Sequence, residues 1–150
     1  MKKTEFIENP EVILSKEFDI KSTSFGGIYI GENIQELNGQ EISEYYDNED
    51  KNQNLKIKNG WILMESGIQY VIKNSFVKMI RVKENGLKKF VNFDEVQIQK
   101  LIGKPNKIKN DGIMWVWDYV VEAKVHHYKK KKLKIHYSTE NGKVCELEIG

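Results

Sequence analysis

Three histidines, seven clustered carboxylates and a run of four lysines are the side chains here whose types and spacing could do chemistry. His126, His127 and His136 invite a metal reading. If 121–128 is a strand, however, His126 and His127 point to opposite faces, and the pair does not grip one ion. Neither Cys-x-x-Cys nor His-Glu-x-x-His occurs, so no metal site is expected. No Gly-x-Ser-x-Gly is present, nor a Ser or Cys with an identifiable base. Gly26-Gly27 and Gly31 lack the spacing and following Lys of a phosphate loop. The chain reads as a non-enzyme with no cofactor.

What remains is surface charge. Between Glu32 and Asp50 lie Glu32, Glu36, Glu41, Glu44, Asp47, Glu49 and Asp50, with no Lys or Arg among them. Such a stretch creates a local negative field. Tyr45 and Tyr46 sit inside it, and Tyr supplies large contact area at low entropy cost. Glu41, Glu44, Tyr45, Tyr46, Asp47, Glu49 and Asp50 are therefore the candidate partner-binding set. The bland alternative is a solvated helix face and loop. Lys124, Lys129-Lys130-Lys131-Lys132 and Lys134 form an opposite, basic cluster beside Tyr128, which could meet phosphate without sequence specificity. Its place at a predicted turn favours the plainer reading, a charged hairpin tip that discourages edge pairing. Arg81 is the sole arginine. Arg is the usual choice for bidentate phosphate contacts, so its scarcity argues against nucleic acid.

The elements that must position these residues follow from length and pattern. At 150 residues, 39% hydrophobic and 31% charged, the chain has the makings of one domain with a real core, spanning 1–150. No run approaches the ~18 apolar residues of a membrane span, and the basic start Met1-Lys2-Lys3 is not followed by the apolar stretch of a signal peptide. One cysteine, Cys145, excludes an internal disulfide and fits a reducing compartment, so a cytoplasmic protein is expected. Residues 1–86 carry 14 acidic and 11 basic side chains, and 87–150 carry 8 and 13, so the halves differ in sign.

Asn-Gly pairs at 38–39, 59–60, 85–86 and 141–142, with Asp111-Gly112, predict tight turns. Between them, period-two runs predict half-buried antiparallel strands at 55–57, 61–64, 68–72, 76–82, 113–121, 133–137 and 144–149. Asn92 as cap with Glu95 three residues on predicts a helix to Ile102, stopped by Gly103 and Pro105. A second helical candidate covers 33–46, interrupted at Asn38-Gly39. The fold class is α+β: a mainly antiparallel sheet with one or two short helices packed on it. The order suggests two helix-plus-meander repeats, 26–84 and 88–150. Phe93, Val96, Leu101, Trp115, Trp117, Tyr119, Leu133, Ile135, Leu147 and Ile149 are expected to form much of one core. Trp61, too, is expected inside.

From Phe90 to Ile149 the chain resembles the repeat unit of the β-lactamase-inhibitor-protein-like fold and the small outer-membrane assembly lipoproteins of the SmpA/OmlA type. The residues that carry the likeness are Asp94-Glu95-Val96, Leu101-Ile102-Gly103-Lys104-Pro105, Trp117-Asp118-Tyr119, Leu133-Lys134-Ile135-His136-Tyr137 and Asn141-Gly142-Lys143-Val144. These are scaffold residues, so the resemblance implies fold and a tendency to bind proteins, not an activity. The chain departs from the lipoproteins in lacking a lipid-bearing N-terminal cysteine, since Cys145 lies in the final strand. In general character it is similar to bacterial immunity proteins, which occlude the active site of a toxin. The expectation is thus an immunity protein with a cognate toxin domain as partner. The alternative is a nucleic-acid-binding module using Lys124 and Lys129–Lys134.

Overall fold

The computed structural model describes residues 3–33, 42–47, 57–90, 93–116 and 119–150, with the side chains of 111, 113–116, 119 and 120 outside that description. Two short strands, β1 (Thr4–Glu5) and β2 (Thr23–Ser24), pair in parallel. The main sheet contains β3 (Ile42–Asp47), β4 (Gly60–Met64), β5 (Ile68–Lys73), β6 (Phe76–Val82), β7 (Lys107–Val116), β8 (Tyr119–Tyr128), β9 (Leu133–Ser138) and β10 (Val144–Ile149). Its order is β3-β4-β5-β6-β10-β9-β8-β7, antiparallel at every pairing. Two four-stranded meanders therefore meet at their last strands, and the sheet unites the two halves. Together with one short α-helix and several 3-10 helices among the described residues, this is an α+β fold.

Period two gives each strand one apolar face. Tyr45, Ile62, Tyr70, Ile80, Ile149, Leu133 and Tyr128 are successive cross-strand partners from one side of the sheet toward the other. Beside that row runs a second, through Ile68, Val82, Leu147, Ile135, His126 and Ile108. Most members of both rows are buried, so this is the core face. The expected core residues Leu133, Ile135, Leu147 and Ile149 are all within it.

The layer over that face is largely an irregular N-terminal segment. Phe6, Ile13, Leu14, Phe18 and Phe25 are buried in the same cluster as the sheet residues. Phe6 stacks near Phe25 and Phe90, and the Tyr70 hydroxyl donates to the Phe25 carbonyl at 2.6 Å. The Glu5 carboxylate holds the segment's turn by accepting from the Ile7, Gly26 and Gly27 amides and from the Ser24 hydroxyl. A 3-10 helix over Glu84–Phe90 adds Leu87 and Phe90 to the core.

Helix α1 (Glu95–Ile102) begins two residues later than the sequence suggests. Its cap is Asp94, not Asn92: the Asp94 carboxylate accepts from the Gln97 amide and the Gln97 side chain accepts from the Asp94 amide. Gly103, at φ +88°, ends the helix as expected. With eight residues, α1 buries only the i, i+4 pair Ile98 and Ile102. Val96 and Leu101, expected in the core, are 58% and 43% exposed because they fall off that narrow stripe. Phe93 is partly buried against the core. The side chains of Trp115, Trp117 and Tyr119 lie outside the described set.

Other expectations are corrected. Of the helical candidate 33–46, Asn33 forms an isolated antiparallel bridge to Phe76, and Ile42 to Tyr46 belong to strand β3 because they pair with β4; residues 34–41 are outside the description. The alternating run 113–121 is not one strand. Its first part ends β7 and its last part begins β8, with Val116 opposite Tyr119. Asp111-Gly112 is no turn but lies within β7 at a register shift. There a Cβ on Gly112 would come 2.7 Å from the Val125 Cγ2, so the close approach requires glycine. Asn85-Gly86 falls within the 3-10 helix. The β5–β6 turn, which no Asn-Gly pair marks, is made by Asn74 and Ser75, both at positive φ, a conformation Asn tolerates. Among the described residues no helix is long and apolar enough to cross a membrane.

Candidate partner-binding edge

Among the described residues β3 ends the sheet, and it carries the described part of the predicted acidic–aromatic set. Glu44, Tyr45, Tyr46 and Asp47 are consecutive on it; Glu41, Glu49 and Asp50 lie outside the described residues. Alternation divides the four. Glu44 and Tyr46 face away from the core, opposite Leu63 and Trp61, while Tyr45 shares the core-side row opposite Ile62. Tyr45 is 40% and Tyr46 51% exposed even so. Among the described residues β3 pairs on one side alone, with β4, and its side chains are accessible on both faces.

Trp61 is the site residue the sequence reading misplaced. It sits half-buried on the outer face, not in the core, with its ring stacked 6.3 Å from that of Tyr46 at 25°. Leu63, Val71 and Met79 continue this partly exposed apolar patch across β4, β5 and β6. Alternation could have shown it, since Trp61 and Leu63 are out of phase with the buried pair Ile62 and Met64. A large aromatic pair beside carboxylates is the kind of surface that anchors protein interfaces.

The outer face changes sign along its length. Glu44, Leu63, Gln69, Arg81, Glu148, Lys134, His127 and Lys107 are cross-strand partners in one row through all eight strands. At its centre Glu148 pairs with Arg81 and Lys134, each at 3.4 Å. One row over, Glu146 is buried beside Lys83 at 3.5 Å and His136 at 3.8 Å. Desolvation raises the Glu146 carboxyl above its ordinary range despite Lys83. Burial holds His136 down to about 4, so it is neutral at neutral pH.

The histidines separate as alternation predicts. His126 is fully buried on the core side, its Nε2 3.1 Å from the Glu95 carboxylate of α1 and its ring edge-on to Tyr137. Burial lowers its pKa. His127 faces outward between Lys107 and Lys134, and desolvation followed by those cations lowers its pKa. Among the described residues no three His, Cys, Asp or Glu side chains gather as metal ligands.

Part of the predicted basic cluster is engaged within the fold. Lys124 pairs with Glu95 at 3.1 Å, and Lys134 pairs with Glu148. Lys131 donates to the Ser15 and Lys16 carbonyls and lies over the Phe18 ring, so it ties the N-terminal segment down. Lys129, Lys130 and Lys132 stand at the β8–β9 turn. Comparison with protein-family models, curated proteins and solved structures finds no match for this chain.

Proposed function

We propose that this protein is a cytoplasmic immunity-type protein that neutralises a toxin domain by binding it directly and covering its active site. The observation that carries the reading is the β3 edge, where Glu44, Tyr45 and Tyr46 stand exposed in sequence and Tyr46 stacks on Trp61. Carboxylates here would face a basic cleft, and the Tyr46–Trp61 pair would anchor the contact. Glu41, Asp47, Glu49 and Asp50 add to the same negative field in sequence. Such charge speeds association and makes its rate salt-sensitive. The mirrored order of the two meanders supports reading 26–84 and 88–150 as structural repeats.

The test is copurification from cells that carry the native neighbouring genes, followed by Glu44→Lys with Tyr46→Ala. Recovery of a stoichiometric partner that the double variant loses, with its fold intact, is expected. Absence of any partner counts against the immunity reading. Full retention by the variant removes β3 from it.

A further inference from the structure

The two ends of the eight-stranded sheet are complementary to each other. β3 presents Glu44 outward and Tyr45 on the core side; β7, at the other end, presents Lys107 and Lys109 outward and Ile108 on the core side. Ser43 to Tyr46 are all exposed, and so are Lys107 to Asn110. Among the described residues the two core rows reach the ends of the sheet at Tyr45, 40% exposed, and Ile108, 45% exposed. β7 therefore sets two lysines outward around an inward Ile108, while β3 sets a carboxylate, Glu44, and the Tyr46 ring outward around an inward Tyr45.

Direction also fits. Among the described residues every pairing in the sheet is antiparallel and the strands number eight, so β3 and β7 run in opposite senses. A second copy placed beyond the edge by translation and twist along the sheet would set its β7 antiparallel to the first copy's β3. Its core face would then continue the first copy's core face. Pairing that puts Tyr45 against Ile108 also puts Glu44 against Lys109 and Tyr46 against Lys107. Opposite charges and aromatic–aliphatic pairs directly across strands are favourable, while like charges there are not. β7 against β7 sets lysine against lysine, so the charges reject that two-fold pairing and admit the β3–β7 one.

We propose that copies of this chain associate head to tail, β3 of one copy continuing the sheet at β7 of the next. The contact is heterologous and does not close on itself, so assemblies lengthen with concentration. The inference is independent of the toxin partner, since the pure protein tests it. Where both hold, self-association and partner binding compete for β3.

Sedimentation velocity of the full chain across a range of concentrations tests this. At low ionic strength the mass should climb past that of a dimer as concentration rises. At ~1 M salt, where the screening length is ~3 Å, it should return to the 17.6 kDa monomer. The variant K107E/K109E, altered only at exposed positions, should be monomeric at low salt and keep the parental circular dichroism. Its β3 remains intact, so added to wild type it should end growing assemblies and lower their mass. A wild type that stays monomeric at low salt overturns the proposal. So does a closed dimer that grows no further, or a folded variant that self-associates as wild type does.

Discussion

Removing the titration of His136 should flatten the acid limb of this protein's stability curve. The ring lies on the outer face beside Glu146, and burial lowers its pKa from 6.5 to about 4. The unfolded chain therefore binds a proton near pH 6.5 that the folded chain refuses until about pH 4. A depressed folded pKa contributes stability present above the unfolded value and lost as pH falls through the folded one. At about 1.4 kcal/mol per pH unit, the loss from neutral is about 2 kcal/mol by about pH 5 and about 3 kcal/mol by about pH 4. His126 pushes the same way, since burial lowers its pKa too. Glu146 opposes both. Its raised pKa favours the folded state below the ordinary carboxylate value and costs stability as pH rises. The assay is urea unfolding of parent and His136→Gln at several pH values between neutral and about 4, comparing free energies at each. The parent should lose about 3 kcal/mol more than the variant over that window. Identical pH dependence in the two proteins would refute the claim that His136 is held neutral by burial.

Tyr70→Phe removes a buried hydroxyl whose donation to the Phe25 carbonyl ties the sheet to the N-terminal segment; a loss of about 1–2 kcal/mol in chemical denaturation is expected. Glu5→Ala leaves the Gly26 and Gly27 amides without their carboxylate, and should cost about 2 kcal/mol and speed amide exchange at that turn. Ile135→Ala, at a fully buried position, should cost about 2–5 kcal/mol. Leu101→Ala, largely exposed, should change the unfolding midpoint little, within about 0.5 kcal/mol; equal losses at the two sites would contradict the placement of α1.

Local rules made much of the scaffold legible in the sequence. Strands β4, β5, β6, β9 and β10 were readable because alternation is a property of neighbouring residues, and it specifies which side chains share a face before any partner strand is known. Gly103 and Pro105 marked the end of α1 for the same reason, since each acts through its own backbone. The described part of the acidic–aromatic set was legible as charge and residue type. Its setting was not: Ile42 to Tyr46 reads as weakly helical alone, and only pairing with β4 makes it strand. Tertiary contacts also drew in the N-terminal segment, whose Phe6, Phe18 and Phe25 follow no period because an irregular chain buries side chains one at a time. They turned Trp61 outward onto Tyr46. Above all they set β6 beside β10, bringing together residues as far apart as Arg81 and Glu148. That pairing, which no local pattern encodes, sends the acidic strand to one end of the sheet and the lysine-bearing strand to the other.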